Sequence, residues 1–184
     1  MLRAIKTLVI LLAVYSCSVL AADIRTLDVD EHQGRYTVKY DAILDAPYDQ
    51  IYDAIANPAH WKQLSRVVSS AEVLAELPDG QRKVRVTFHD CILIFCQTIH
   101  KNETLQASRD GNIDTLADPE ESDFAYDHEH WRISILDERT RIQYEVDMKP
   151  SFFVPPLIGS YILKSKIRSL LIHITKNLEA PKAQ

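Results

Sequence analysis

The chain has 184 residues, of which 46% are hydrophobic and 26% are charged. Such fractions are ordinary for a globular protein, and they exclude a disordered, collagen-like or coiled-coil chain. The formal net charge is −5 at pH 7 and the basic residues form no run. This excludes nucleic acid as an expected partner, because contacts to phosphates supply most of the affinity for it.

Residues 1–22 have the pattern of a signal peptide. Two basic residues precede a compact apolar segment at 8–14 (LVILLAV), and small residues follow at the point where a signal peptidase would cut. The apolar segment is shorter than the roughly 20 residues of a membrane-spanning helix. We therefore predict an exported, periplasmic chain cleaved after Ala21 or Ala22, with an uncleaved anchor as the alternative. Cleavage leaves 19 basic against 26 acidic residues, a net charge of −7.

The mature chain begins with a polar lead-in at 23–34, followed by a strand and two short helices. Apolar and polar residues alternate over 36–44, which predicts a half-buried strand. Apolar residues recur at helical spacing over 47–57, where a proline lies at the expected first position. A second proline starts a shorter helical segment over 58–64.

From residue 67 onward, apolar residues recur at every second position instead of at helical spacing, which predicts a series of antiparallel strands. Turn residues separate the strands, and the hairpin between the last two is the clearest in the sequence. An acidic loop at 118–123 interrupts the series. The predicted strands are 67–77, the two arms of a hairpin within 82–105, 113–116, 131–135 and 142–148.

Cys91 and Cys96 are the two cysteines that remain of three once the signal peptide is removed. Five positions of extended strand span roughly 16 Å, whereas a disulfide needs Cα atoms within about 7 Å. A bond therefore requires a chain reversal between them. The stretch 82–105 is too long for one strand, so we place its turn between residues 89 and 97. A disulfide at the hairpin tip and two buried free thiols are both open.

Residues 155–178 predict a long C-terminal helix with one apolar stripe. About 24 helical residues extend roughly 36 Å, which is close to the width of a sheet of seven strands. One helix can therefore lie across the concave face of one bent antiparallel sheet. Because no linker or repeat interrupts residues 35–180, we predict a single α+β domain.

Three stretches of the sequence are distinctive when they are taken with the order of the elements. They are 36–61 (YTVKYDAILDAPYDQIYDAIANPAHW), 122–126 (SDFAY) with Trp131, and 152–159 (FFVPPLIG). They resemble the START-like or SRPBCC superfamily, which includes polyketide cyclase/dehydrase and coenzyme-Q-binding proteins. The resemblance covers nearly all of residues 35–180. It implies a helix-grip fold, in which a strongly bent sheet of about seven strands holds the C-terminal helix, with two short N-terminal helices.

The resemblance also implies a cavity, because a curved sheet and a straight helix cannot touch along their whole length. A gap lined by apolar side chains suits an apolar small molecule. Ordinary core packing is the alternative for each lining residue. The candidate ligand-binding residues are Tyr36, Tyr40, Trp61, Phe88, Trp131, Tyr144, Phe153, Tyr161 and Ile167.

The run ILIF at 92–95 places four large apolar residues near a hairpin tip, where turns are usually polar. The loop 151–156 carries further apolar residues. We expect both segments to border the mouth of the cavity and to contact a membrane transiently, unless they are buried in the core. The candidate membrane-contact residues are Ile92, Leu93, Ile94, Phe95 and Phe152.

The sequence contains no known catalytic signature. It lacks a Gly-x-Ser-x-Gly elbow, a Cys-x-x-Cys pair and a glycine-rich phosphate loop. His128 and His130 share one strand face, as a metal half-site would. They alternate against the inward Trp131, so we expect hydrated surface histidines, and we predict no metal and no cofactor.

The sequence therefore predicts an exported domain that binds or carries a hydrophobic small molecule, such as a lipid, an isoprenoid quinone or a polyketide-like ring. One alternative is a cyclase or dehydratase in which pocket acids or histidines shuttle protons; Asp123, Asp127 and Glu129 are the acids available. A protein-interaction module without ligand is the other. A carboxylate or histidine on the inward face beside a roomy pocket favours the enzyme. An all-apolar pocket favours the carrier, and a filled one favours the interaction module. The oligomeric state is left open.

Overall fold

The computed structural model describes residues 22–92 and 94–180, with the backbone alone at Ile92. Residues 1–21 of the predicted signal peptide, and Leu93, lie outside the described residues. In chain order the elements are β1 (Asp23–His32), β2 (Arg35–Leu44), α1 (Tyr48–Ala56), a 3₁₀ turn (Pro58–His60), α2 (Trp61–Leu64), β3 (Val68–Glu76), β4 (Arg82–Ile92), β5 (Phe95–Ala107), β6 (Asn112–Ala117), β7 (Phe124–Leu136), β8 (Arg139–Pro150) and α3 (Gly159–Glu179).

The eight strands form one antiparallel sheet in the order β1-β2-β8-β7-β6-β5-β4-β3. Strands β3 to β8 are joined to their neighbours by short turns. The short helices α1 and α2 carry the chain from β2, near one edge, to β3 at the other. This arrangement confirms the predicted α+β fold, with two short N-terminal helices and a long C-terminal helix.

The sheet has one strand more than the seven expected, because the lead-in at 23–34 forms β1 and pairs with β2. The sequence of β1 is DIRTLDVDEH, and Val29 is the residue of this strand that is fully buried. Most side chains of this charged edge strand are exposed, so it lacks the apolar alternation by which the other strands were recognised.

The inner face of the sheet follows the alternation in the sequence. Tyr40 of β2 lies opposite Tyr144 of β8, and Ile142 of β8 lies opposite Ile133 of β7. All four are at most 9% exposed. The helix α1 closes one end of this face with Ile51, which is completely buried.

The helix α3 lies across the same face and buries Leu171, Thr175 and Leu178 against it. It begins at Gly159 rather than at residue 155. A Cβ atom at Gly159 would come within 2.9 Å of side-chain atoms of Val154 and Pro155, so a glycine is required where the helix starts against this loop. Among the described residues, no helix is both long enough and apolar enough to span a bilayer.

Candidate functional site

A partly enclosed cavity of about 180 Å³ lies between the sheet and α3. Its walls come from α1, α2, the middle strands of the sheet and the inner side of α3. Most of its lining is apolar, and the polar lining residues gather on the strands. The lining residues are Ile55, Trp61, Leu64, Ser65, Val68, Val86, Phe88, Lys101, Glu103, Ile113, Thr115, Glu129, Trp131, Tyr144, Ile167, Leu170, Leu171 and Ile174.

Two aromatic side chains form one wall of the cavity. Trp131 of β7 and Tyr144 of β8 lie directly opposite each other, with ring centroids 4.1 Å apart. On another side, the indole nitrogen of Trp61 donates a hydrogen bond of 2.8 Å to the carbonyl of Ile55. This bond links α2 to α1 and fixes the indole, so the aromatic lining is held in place before a ligand arrives.

A buried ionic cluster forms the floor of the cavity on β5 and β7. The ammonium group of Lys101 lies 2.8 Å from Oε2 of Glu103 and 3.1 Å from Oδ1 of Asp127, and it also contacts Oε1 of Glu129. Lys101, Glu103 and Asp127 are each at most 3% exposed. One ammonium group therefore faces three carboxyl groups inside the protein.

The cation of the cluster is held firmly in its charged form. Burial alone lowers the pKa of Lys101, but the attraction of the three carboxylates outweighs this and raises its pKa well above the ordinary value. For Glu103 the balance is reversed, because burial raises the pKa more than the charge of Lys101 lowers it.

Asp127 and Glu129 behave as a pair with opposite shifts. Burial raises the pKa of Asp127 to about 7, against the opposing charge of Lys101. Burial also raises the pKa of Glu129, but Lys101 and hydrogen bonds from Tyr144 and Asp127 bring its net pKa below the ordinary value. The pair therefore favours an ionised Glu129 and a proton held on Asp127, which donates a hydrogen bond to Glu129.

Tyr144 connects the aromatic wall to this floor. Its hydroxyl donates a 2.9 Å hydrogen bond to Oε2 of Glu129. Burial and the neighbouring carboxylates, first Glu129 and then Asp127, raise the pKa of Tyr144 well above its ordinary value. Tyr144 is therefore a neutral donor at every physiological pH.

The three carboxyl groups also have the spacing of a metal site. One oxygen from each of Glu103, Asp127 and Glu129 lies within 4.8 Å of the other two. Oxygen ligands of this kind suit a hard divalent cation. The ammonium group of Lys101 contacts all three, however, and so takes the position and the charge-balancing role of a metal ion.

Three polar groups that line the cavity have unused hydrogen-bonding capacity. Within the part of the chain that the structure describes, Oγ of Ser65 and Oγ1 of Thr115 make no well-aligned hydrogen bond, and Oε2 of Glu103 faces Lys101 at 2.8 Å with a second lone pair to spare. Thr115 lies beside Glu103 and lowers its pKa, but the two groups are not aligned for a bond. Such groups are costly when buried, so the cavity floor is suited to a polar atom of a ligand or to water.

A family model described as polyketide cyclase / dehydrase and lipid transport matches residues 44–174, which is more than half of the chain. The match spans α1, the strands from β3 to β8 and most of α3, and therefore includes every wall of the cavity. The chain belongs to this family. No significant match to a curated protein was found.

Solved structures of similar fold agree with this membership. A START superfamily protein from Mycobacterium smegmatis is 18% identical with a TM-score of 0.59, and the match covers 78% of this chain and 94% of that one. The Zhui aromatase/cyclase from Streptomyces sp. R1128 is 16% identical, with a TM-score of 0.60 and coverage of 78% and 93%. A STAR-related lipid transfer protein from Xanthomonas axonopodis is 11% identical, with a TM-score of 0.60 and coverage of 84% and 99%. At these identities the likeness shows the fold alone.

Five of the nine candidate ligand-binding residues line the cavity of this cyclase and lipid transport family member. Two further tyrosines are buried elsewhere on the inner face. Tyr40 bonds Thr175 of α3 through its hydroxyl, and Tyr36 lines a separate groove under the loop that precedes α3. The five cavity residues are Trp61, Phe88, Trp131, Tyr144 and Ile167.

The other two candidates lie outside the cavity. Tyr161 is 78% exposed, because at about 100° per residue it points away from the stripe of α3 that includes Ile167. Phe153 is 52% exposed in the loop before α3, and its ring contacts Phe95 with centroids 5.5 Å apart. In the sequence, no regular spacing of apolar residues fixes the direction of either side chain.

Sequence reasoning missed two members of the cluster, Lys101 and Glu103. Charged residues on a strand normally face water, so neither residue stands out in the sequence as part of an inward site. The signal that would have found them is parity, because Lys101 and Glu103 alternate in register with the fully buried Leu105. Asp127 and Glu129 share parity with Trp131 in the same way.

The remaining polar candidates lie away from the cavity. Asp123 accepts a 2.7 Å hydrogen bond from the backbone of His100 and stabilises the loop before β7. His128 and His130 face outward, and His130 lies 2.7 Å from a carboxylate oxygen of Asp114. Their positions match the expectation of hydrated surface histidines.

The hairpin of β4 and β5 reverses between residues 92 and 95, and a disulfide joins Cys91 to Cys96 across it. Beyond the disulfide, Ile94 is 87% exposed and Phe95 is 44% exposed. Phe152 is half-buried against Phe124 instead. Leu93 lies outside the described residues, and the position of the Ile92 side chain is not described.

Proposed function

We propose that this family member binds and carries a small hydrophobic molecule in the cavity between the sheet and α3. The observation that carries the proposal is the cavity itself, which is apolar on most sides and polar on its floor. Burial of apolar ligand surface supplies about 25 cal/mol per Å², so binding needs no covalent step. The family description, which includes lipid transport, supports this class of ligand.

The volume of the cavity limits what it can hold. An apolar cavity of about 150 Å³ accepts one benzene ring, so a cavity of about 180 Å³ accepts a group of that size. A single six-membered ring of a quinone or a polyketide, or the end of an acyl chain, fits this limit. The rest of a longer ligand would extend past the side of α3 or require this helix to move outward.

Export to the periplasm is part of the proposal. The predicted signal peptide supports it, and so does the disulfide between Cys91 and Cys96, because disulfides persist in oxidising compartments. An exported carrier must collect its ligand from a membrane or deliver it to one. A surface suited to that contact is therefore a second element of the proposed function.

One end of the molecule has such a surface, which we call the apolar end. The hairpin tip and the loop before α3 meet there, since the side-chain amide of Gln97 donates a 2.8 Å hydrogen bond to the carbonyl of Phe153. The large apolar side chains exposed at this end are Ile94, Phe95, Phe153, Leu157, Ile158 and Tyr161, between 44% and 102% exposed. Exposed apolar patches of this kind mark binding surfaces.

Charge favours a bilayer as the occupant of the apolar end. The helix α3 carries four basic residues and one acidic residue; Lys166 is paired with Asp90 and Lys176 lies in the last turn, so Lys164 is the basic residue of α3 nearest to Tyr161. Lys164 follows Tyr161 by about one turn, and Lys149 is the last residue but one of β8. Basic residues beside exposed apolar side chains favour the surface of an anionic membrane.

The cavity proposal is tested by filling the cavity. Ile174→Trp places a large ring in the cavity, whereas Ile172→Trp places the same ring on the exposed side of the same helix. Native mass spectrometry of protein from its own cell envelope should show a bound apolar molecule on the wild type and on Ile172→Trp, but not on Ile174→Trp. NMR titration with benzene should show the same order. Equal retention by both variants would contradict the proposal.

An enzyme of cyclase or dehydratase type is the second candidate, and one observation favours it. Glu103 and Glu129 are inward carboxyl groups beside the cavity, and Asp127 behind them has a pKa of about 7. Such a group can accept and return a proton at neutral pH. Asp127→Asn distinguishes the two functions. A dehydratase would accumulate a molecule heavier by one water on the variant, whereas a carrier would hold the same molecule on both proteins.

A further inference from the structure

We infer that the cavity selects ligands whose polar end is a neutral hydrogen-bond donor, a hydroxyl or a phenol, and rejects ligands that end in a carboxylate. This inference rests on the proposed function, because it concerns a ligand in the same cavity. It follows from which donors and acceptors of the floor are already used and which are free.

The donors of the floor are occupied. An ammonium group has three hydrogens to donate, and Lys101 has three carboxylate neighbours, Glu103, Asp127 and Glu129. The hydroxyl hydrogen of Tyr144 is directed to Glu129. A carboxylate on the ligand would therefore find no free charged donor at this floor among the described residues.

The charge of the floor opposes an anion for a second reason. Three carboxyl groups share one ammonium group, so an anionic ligand would add a fourth acid to a site that already holds more acids than bases. Because Lys101, Glu103 and Asp127 are buried there, like charges interact strongly. The ligand would enter only with a proton or with a large loss of affinity.

The acceptors, by contrast, are available. Oε2 of Glu103 faces the ammonium group of Lys101 at 2.8 Å but keeps a second lone pair, and the hydroxyl oxygens of Thr115 and Ser65 make no well-aligned hydrogen bond with the described residues. All three side chains are at least nine-tenths buried and line the cavity. A ligand hydroxyl can donate to Glu103 and accept from Thr115 or Ser65, which satisfies at least two of these groups at once.

Ser65 strengthens the assignment because it comes from a different element. Thr115 and Glu103 lie on the neighbouring strands β6 and β5, whereas Ser65 directly follows α2. The three oxygens therefore line the cavity from both the sheet and the helical side. A single hydroxyl between them would link the two sides of the site.

Three ring compounds of similar size test this inference: 4-ethylphenol, ethylbenzene and 4-methylbenzoate. Their dissociation constants for the full mature chain are measured at pH 7 by NMR titration of labelled protein. We expect 4-ethylphenol to bind about tenfold more tightly than ethylbenzene, since a hydrogen bond to a buried acceptor that otherwise lacks a partner is worth about one power of ten. We expect 4-methylbenzoate to bind more weakly than ethylbenzene.

The outcomes separate the inference from the function on which it rests. If none of the three compounds binds, the cavity proposal is wrong as well. If ethylbenzene and 4-ethylphenol bind equally, the cavity accepts apolar molecules but the floor does not recognise a donor. If 4-methylbenzoate binds most tightly, the inference is wrong and the floor is an anion site.

Variants identify the groups responsible. Glu103→Gln should reduce the preference for 4-ethylphenol over 4-methylbenzoate by about tenfold, because it removes one acid and the charged acceptor. Thr115→Val and Ser65→Ala keep the buried charges and should weaken 4-ethylphenol alone, which keeps the test valid if Glu103→Gln fails to fold. Glu145→Gln, on the exposed side of β8, is the matched control. Unchanged 4-ethylphenol affinity in both hydroxyl variants would overturn the inference.

Discussion

Lys101 and Asp127 lie 3.1 Å apart, Nζ to Oδ1, in a part of the core where both side chains are almost completely buried. A buried ion pair is weak support for stability, because removing two charges from water costs about as much as their attraction returns. Here the balance is less favourable still, since Glu103 and Glu129 add two further carboxyl groups. An apolar floor would have been adequate for the fold alone, so the cluster is best explained by the cavity it faces.

The raised pKa of Asp127 predicts how stability depends on pH. An unfolded chain releases this proton near pH 3.8, whereas the folded chain releases it near pH 7. Between those values the folded state binds more protons, so the free energy of unfolding falls as pH rises and levels off above about 7. Asp127→Asn removes this proton and should flatten the curve by up to about 1.4 kcal/mol per pH unit, measured by urea unfolding from pH 4.5 to 8.

A matched control for this measurement is Asp28→Asn, because Asp28 is an exposed aspartate of the edge strand β1. The control should keep the slope of the wild type. A slope in Asp127→Asn equal to that of the wild type would mean that Asp127 titrates in the folded protein as it does in the unfolded chain.

Removal of the cation should be more damaging than removal of an acid. Lys101→Met leaves three carboxyl groups buried around an apolar side chain. We expect a loss of about 3–5 kcal/mol at pH 8, and a smaller loss at pH 5, where the carboxyl groups can protonate. Urea unfolding at both pH values measures the difference. Lys62→Met, at an exposed position in α2, is the control, and an equal loss at pH 5 and pH 8 would contradict the prediction.

Much of the fold could be predicted because its elements follow simple periods. The length of 82–105 required a reversal, and the structure turns between residues 92 and 95 with Cys91 opposite Cys96. The long helix was recognised from its apolar stripe, although it begins at Gly159 and not four residues earlier. The edge strand β1 was not predicted, since its charges obscure any alternation.

The site could be predicted only in part, because one sequence does not show which strands are neighbours. Trp131 and Tyr144 were recognised as inward residues from the alternation of their own strands. The cluster depends on pairing across strands, such as that of Thr115 with Glu129. Lys101 on β5 reaches Asp127 on β7 because both strands pair with β6, which lies between them. No local sequence pattern shows that these two residues are close in space.

The disulfide should stabilise the hairpin without contributing to the cavity. Cys91→Ala with Cys96→Ala removes a bond that closes a short loop, which is worth about 2 kcal/mol on a loop-entropy basis. We expect that loss in urea unfolding and no change in benzene binding. Alkylation of the untreated mature protein checks the bond directly, because labelling of both cysteines without a reductant would show that they are free.

The apolar end should attach the protein to anionic vesicles. Ile94 and Leu157 are 87% and 102% exposed on the two segments that meet there, so neither packs in the core. Ile94→Asp with Leu157→Asp adds two negative charges and removes the apolar contacts. We expect the fraction that sediments with vesicles of phosphatidylcholine and phosphatidylglycerol to fall by about tenfold or more, with the free energy of unfolding nearly unchanged.

The control for vesicle binding is Ile135→Asp, since Ile135 is 69% exposed but lies near the turn between β7 and β8, at the opposite end of the sheet. This variant should bind vesicles as the wild type does. Binding of the wild type should weaken in salt, because the basic residues of α3 are screened, and it should weaken when phosphatidylglycerol is left out. Equal loss of binding in both variants would mean that the net charge of the protein decides vesicle binding. If the wild type does not bind vesicles, membrane contact is not part of the function, and the cavity proposal is unaffected.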